Sequence, residues 1–197
     1  MNLKIYSFLY LKMSNKFLDE ITKLQNQYYS NNNKNVFLKS KQKLELASYV
    51  SNTMDLHDLI NKSIYILPNT HYVYIDYTVL KMYANPNNYD TIIHHIMSLF
   101  NECIVTHGGF SCHINIDSFT ISACERHKSV IEKFVTKCMN SDTQFAERLD
   151  KMIIYNTPLI FDNIITMLNP LIDPNVKTKL LYYNKKESPL LIQKLIG

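Results

Sequence analysis

The first sixty residues carry their apolar positions at helical spacing, and the pattern then breaks into short β-like runs separated by helices. Phe17, Leu18, Ile21, Leu24 and Tyr28 repeat on one face after Ser14 and predict a helix, followed by a polar linker from Ser30 to Asn35. A second helix is predicted over 39–50, and Asp55 is a plausible N-cap for a short third one carrying Leu56, Leu59 and Ile60. The runs 63–67 and 71–77 are rich in β-branched and aromatic residues and flank the turn signal Pro68-Asn69-Thr70, so they read as adjacent strands. After the turn cluster 85–88, Ile92, Ile93, Ile96, Leu99, Phe100 and Cys103 share one face of a helix over 89–103. Gly108-Gly109 ends that unit and 112–117 forms a third strand. A capping box of Ser122 and Glu125 opens a long helix over 123–139, with Val130, Ile131, Phe134, Val135 and Cys138 on its buried face.

A short helix containing Glu147-Arg148 leads into a strand over 152–155, and then into Asn156-Thr157-Pro158, where Thr157 can cap and Pro158 can take the first helical position. In the helix that follows, Asp162, Asn163, Thr166 and Asn169 occupy one narrow side. Ile160, Phe161, Ile164, Met167, Leu168 and Leu171 cover the rest, so this helix needs apolar surroundings on most sides. Asp173-Pro174 restarts a turn of helix, 178–183 makes a last strand and 190–196 a last helix. Strands alternating with helices predict an α/β fold: a mainly parallel sheet covered by helices on both faces, over 63–197, preceded by an N-terminal helical region over 1–62.

Composition narrows the chemistry. With 197 residues, 46% of them hydrophobic and 19% charged, the chain has the length and balance of one globular domain plus a helical extension. Only 3 glycines are present, too few for a dinucleotide-binding or P-loop fingerprint. The net charge of +4 is carried almost wholly by lysine, Arg126 and Arg148 being the only arginines, so no nucleic-acid partner is expected. No run of about 18 apolar residues occurs, which leaves only peripheral contact with membranes. The 4 cysteines form no CxxC pair, and the apolar stretch from Ile5 to Leu11 is too short for a secretory signal and lacks a cleavage site. Reduced thiols and a cytoplasmic location are expected. His107, Cys112, His113, Cys124 and His127 lack the paired spacing of a zinc site, and Cys112 and His113, adjacent on a strand, face opposite sides. Of His94 and His95, at most one should be buried. Ser111, Ser118 and Ser122 lie in no nucleophile elbow, so no catalytic residue, metal or cofactor is assigned and the chain reads as non-enzymatic.

The run from Glu147 to Pro158, continued by Phe161, by Asn169-Pro170-Leu171-Ile172-Asp173-Pro174 and by Thr178-Lys179-Leu180, resembles the CRAL-TRIO lipid-binding domain. That family has a "PERL" helix end, a strand finishing in Asn-x-Pro, an apolar helix, a "KPFLDP" turn and a Lys-Ile strand, in this order. Gly109 to Asp117 is similar to its glycine and following strand. The resemblance implies a concave lipid pocket floored by the sheet and closed by an apolar lid helix that swings out at a membrane. It places the lid at Pro158 to Leu168, with Ile160, Phe161, Ile164, Met167 and Leu168 on the pocket. By the pattern of the phosphatidylinositol-transfer members it assigns the headgroup to Glu147 and Lys179, with Thr178 standing in for a family threonine replaced here by Val176.

Ser118 and Thr120, after the third strand, are expected to line or cap near the pocket. Lys177, Lys185 and Lys186 read as a solvated face weakly attracted to anionic membranes. The function expected from the resemblance is binding, and possible transfer, of a phospholipid such as phosphatidylinositol or another small hydrophobic ligand. The alternative is an adaptor of the same fold that uses its surface to bind a protein, a reading Val176 favours.

Overall fold

The computed structural model describes residues 3–34, 37–139 and 144–196, with side chains from residue 16 onward and Met167 excepted. Three helices come first: α1 (Leu3–Asn31), α2 (Lys39–Thr53) and α3 (Leu56–Ser63). Asp55 caps α3 as expected, its carboxylate accepting from the Asp58 amide at 2.7 Å. Phe17, Ile21, Leu46, Val50, Leu59 and Ile60 are buried in the same continuous core as the sheet. The expected linker from Ser30 shortens to a few residues because α1 runs on to Asn31, and Asn35 lies outside the described residues.

The sheet has five strands in the spatial order of the chain: β1 (Ile64–Ile66), β2 (Tyr72–Asp76), β3 (Phe110–Asn115), β4 (Leu149–Thr157) and β5 (Leu180–Asn184). β1 pairs antiparallel with β2, and every later pair is parallel. The connections are α4 (Tyr77–Leu80) and α5 (Tyr89–His107), then α6 (Ile121–Arg126), α7 (Lys128–Cys138) and α8 (Gln144–Arg148), and then α9 (Phe161–Leu168), a 3-10 turn (Asn169–Leu171) and α10 (Pro174–Lys179). Helix α11 (Ser188–Ile196) follows β5. Each new parallel strand is added on the same side of the last, and crossovers of one hand then put successive helices on one face. Accordingly α5, α7, α9 and α10 all meet the face bearing Ile75, Ile114, Met152, Ile154 and Leu180, rather than alternating between the two faces. The other face carries Tyr72, Tyr74, His113, Tyr155 and Tyr183, packed ring against ring across the strands.

Several local expectations need correction. The long helix over 123–139 is two helices, because His127 (φ −102°, ψ 13°) leaves helical geometry between α6 and α7. Ser122 is not the cap: Thr120 holds the extended N-cap conformation, and its hydroxyl accepts from the Ala123 amide at 3.2 Å. Tyr77, expected to end a strand, starts α4 instead, since the Asp76 carboxylate accepts from the Thr78 amide and turns the chain. Thr157 remains in β4 and donates its hydroxyl to the Tyr183 carbonyl, so α9 begins only at Phe161, without a side-chain cap. Thr178 and Lys179 belong to the end of α10, and β5 starts one residue later where Leu180 pairs with Met152.

Candidate functional site: an apolar cavity between sheet and helices

A cavity of about 200 Å³ lies between the sheet and its helical layer. Its floor is Ile75, Ile114, Met152, Ile154 and Leu180, which point the same way because they alternate with residues of the opposite face. The walls come from Ile92, Ile93 and Ile96 of α5 and from Val130, Ile131, Phe134 and Val135 of α7. Val130, Ile131 and Phe134 are only half-buried despite their predicted core positions, since the cavity leaves them short of neighbours. Phe161, Ile164, Ile165 and Leu168 of α9 form a further wall, continued by Ile172 and by Val176 of α10.

The two-sided character of α9 is as expected. Asp162, Asn163, Thr166 and Asn169 are exposed, and Phe161 and Ile164 are buried. Of the expected pocket residues, Phe161, Ile164 and Leu168 line the cavity, whereas Ile160 packs on the surrounding core. Met167 lies outside the described side chains.

Glu147, Thr178 and Lys179 are not among the lining residues. The structure does bring Glu147 and Lys179 together, although through the backbone. The Lys179 ammonium donates to the carbonyls of Ala146 and Glu147 at 3.1 and 3.3 Å, closing the end of α8, while the Glu147 side chain faces solvent. The Thr178 hydroxyl donates within its own helix to Asn175.

Beside the main cavity is a smaller recess of about 70 Å³, which shares Tyr77, Leu80, Ile92, Phe119, Val130 and Ile131 with it and adds Lys81, Ala84 and His127. The recess surface is apolar like the cavity, with polar side chains hydrogen-bonded around it. Lys81 donates to the Ser118 hydroxyl at 2.6 Å, and Ser118 itself stands in a left-handed turn (φ 63°) after β3. His127 is buried, with Nδ1 3.0 Å from the Tyr89 hydroxyl and Nε2 accepting from Arg126 Nε at 3.4 Å. Because Nε2 accepts, the neutral imidazole carries its proton on Nδ1. Burial and then the Arg126 charge hold its pKa down to about 4. Thr120 caps α6 next to this recess and is not part of its lining. Tyr77, Lys81 and Arg126 were not singled out from the sequence. The one local signal was Asp76 two residues before Thr78, a capping pair that takes Tyr77 out of the strand.

The remaining buried polar chemistry lies away from the cavity. His113 is stacked on Tyr155, with Nδ1 2.9 Å from its hydroxyl. Cys103, Cys112, Cys124 and Cys138 are free and buried, and burial raises every one of these thiols above its ordinary pKa. His94 is exposed and His95 half-buried against the Ile64 carbonyl. Among the described residues no helix is long and apolar enough to cross a membrane.

Residues 69–197 match the CRAL/TRIO domain family. The structure is similar to the crystal structure of Sfh5, with 10% sequence identity and a TM-score of 0.50, over 74% of this chain and 56% of that one. At that identity the likeness is one of fold, and the chain spans little more than half the length of the protein it matches. A search of curated proteins finds no match.

Proposed function

Since the chain belongs to the CRAL/TRIO domain family, we propose that its apolar cavity takes up the hydrocarbon of an amphiphile, most simply a phospholipid such as phosphatidylinositol, and exchanges it at a membrane surface. The observation that carries this reading is the cavity wall: isoleucine, leucine, valine, methionine and phenylalanine from the sheet and from α5, α7 and α9, with the Tyr77 ring at one end. Each methylene moved into such surroundings contributes about 0.8 kcal/mol, so a chain of ordinary length is held without any polar contact. A domain of this fold acting only through its surface has no need of this void, because unfilled apolar space costs stability.

The cavity of about 200 Å³ is smaller than the roughly 300–1,000 Å³ of pockets that enclose a whole ligand, so uptake of a phospholipid requires a wall to move. Helix α9 is the wall suited to this. It is 8 residues long, starts without a side-chain cap and runs out into a 3-10 turn at Pro170. Leu159, fully exposed, stands before it, and Leu171 and Tyr182, both substantially exposed, stand after and beside it. Lys177 and Lys186 are exposed near by in sequence and would draw this edge to an anionic bilayer, about 1 kcal/mol each, while Lys185 is paired with Asp117 at 2.9 Å. In this reading the protein is a non-enzymatic carrier in the cytoplasm that meets membranes transiently.

The test is uptake from vesicles. Donor vesicles of phosphatidylcholine containing pyrene-labelled phospholipid are mixed with the protein, which is then separated by gel filtration. Label eluting with protein near one molecule per chain supports the reading, and label remaining wholly with vesicles rejects it.

A further inference from the structure

Ligand pockets ordinarily carry a few polar groups that fix the ligand's orientation. The cavity and its adjoining recess present none: no polar atom faces either space. Among their lining residues only Tyr77, Lys81 and His127 bear a polar group. The Lys81 ammonium is bonded to Ser118 at 2.6 Å, and His127 has one ring nitrogen 3.0 Å from the Tyr89 hydroxyl and the other accepting from Arg126. Tyr77 contributes its ring, packed edge-on against Phe119 with centroids 5.0 Å apart. A ligand therefore meets carbon alone, and nothing in these walls distinguishes one headgroup from another.

Volume sets a second limit. A dry apolar cavity of about 150 Å³ accommodates benzene, so six carbons, and by that measure the main cavity of about 200 Å³ holds roughly eight carbons and the recess of about 70 Å³ roughly three more. The floor crosses four strands, from Ile75 through Ile114 and Ile154, which stand opposite one another, to Leu180 beside Met152. At the usual strand spacing that is a length of about 14 Å. So small a volume drawn out over such a length has the section of one hydrocarbon chain. The second chain of a phospholipid finds no room beside it.

We infer that the site encloses a single hydrocarbon chain, about ten carbons of it, and selects ligands by chain number and length rather than by headgroup, so that single-chain amphiphiles such as fatty acids and lysophospholipids are its preferred ligands. The inference rests on the cavity being a lipid site and narrows what enters it. With α9 in place, a two-chain lipid is held by one chain only. The other chain, drawn from a bilayer, stays uncovered and forfeits the burial of each of its methylenes. The headgroup remains outside, as the placing of Glu147, Thr178 and Lys179 off the lining requires.

Isothermal titration calorimetry with saturated fatty acids of increasing length, each below its micelle concentration, reads the limit directly. Affinity should rise about fourfold per methylene up to about ten carbons and then level off. Alkyl glucosides, whose head is uncharged, should break at the same length with affinities within about threefold of the matching fatty acids. Pyrene-labelled lysophosphatidylcholine and phosphatidylcholine bearing the same labelled chain are then compared for uptake from vesicles, and the single-chain probe should lead by about tenfold. Phe134→Ala opens the α7 wall and should move the break to longer chains by several carbons, with the melting temperature showing that the variant is folded; Phe134→Leu serves if the alanine variant is not. Affinity that climbs with length without a break, a break that stays put in the folded variant, a tenfold preference for one head, or phosphatidylcholine taken up as well as its single-chain counterpart each overturns the inference and leaves the lipid pocket standing. Binding of no chain, with uptake of neither probe, removes the pocket and the inference together.

Discussion

The Tyr182 hydroxyl donates to a carboxylate oxygen of Asp162 at 2.9 Å, and the two residues join the edge strand β5 to the first turn of α9. The rings of Phe161 and Tyr182 meet beside this bond, 5.3 Å apart, so strand and helix are held by one polar and one apolar contact. If α9 is the wall that opens, Tyr182→Phe removes the polar latch and keeps the ring. Exchange of a pyrene-labelled phospholipid between vesicles should then speed up about fivefold, from the loss of about 1 kcal/mol, with little change in melting temperature. An unchanged exchange rate would show that opening does not break this contact.

Ile114 sits half-buried on the cavity floor. A larger side chain there fills space that is already empty, so Ile114→Phe should keep stability within about 1 kcal/mol of wild type, where the same change in a packed core would cost more. It should also remove most ligand uptake. Denaturant titration and vesicle uptake on the same preparation check both halves, and a variant that is stable and still fully loaded would place the ligand elsewhere.

Two buried histidines set an acid limit. Burial, with the neighbouring charges of Arg126 for His127 and of His71 for His113, holds both pKa values down to about 4, below the ordinary 6.5. Between those values the unfolded chain binds more protons than the folded one, so stability is complete above about pH 6.5 and falls as the pH drops toward 4. Each histidine contributes on the order of 3 kcal/mol to that fall. The carboxylates of Asp90 and Asp117, held low by Lys133 and Lys185, act in a separate window below their ordinary 3.8. Melting curves at pH 7, 5.5 and 4.5 should show the decline, and His113→Asn, which keeps a polar partner for Tyr155, should reduce it by about half.

Gly109, just before β3, passes close to the backbone at the start of β4. A Cβ there would lie 2.9 Å from the Arg148 carbonyl oxygen and 3.3 Å from the Asp150 carboxylate, next to the register shift at Phe110. Gly109→Ala should cost about 2 kcal/mol, because the first of these obstacles is backbone. Its neighbour Gly108 has open space around it but a left-handed backbone (φ 81°), so Gly108→Ala should cost about 1 kcal/mol through conformation alone. Urea denaturation of the two variants distinguishes the mechanisms by size.

The elements legible in the sequence are those fixed by short-range pattern. The apolar face of α5 is buried at Ile92, Ile93, Ile96, Phe100 and Cys103 as its spacing requires, and Asp55 and Asp173 cap their helices with the amides two or three residues on. What the pattern missed was decided at a distance. The break at His127 comes with bonds to Tyr89, 38 residues away, and to Arg126. Ser122 and Thr120 are equally good capping residues by type, and only the extended backbone at Thr120 selects it. Lys179 reads as a strand residue until the register places Leu180 opposite Met152 and leaves the lysine to close α8. The apolar residues of the site were therefore visible as helix and strand faces. That these faces all meet on one side of the sheet was not.

The central claim, that this cavity holds the hydrocarbon of an amphiphile, is tested most directly by extracting the purified protein with organic solvent and identifying what is released by mass spectrometry. The account predicts a lipid bearing at least one long acyl chain, near one molecule per protein and absent from the Ile114→Phe variant. An extract holding no amphiphile in stoichiometric amount, from protein that also takes up none from vesicles, would contradict it.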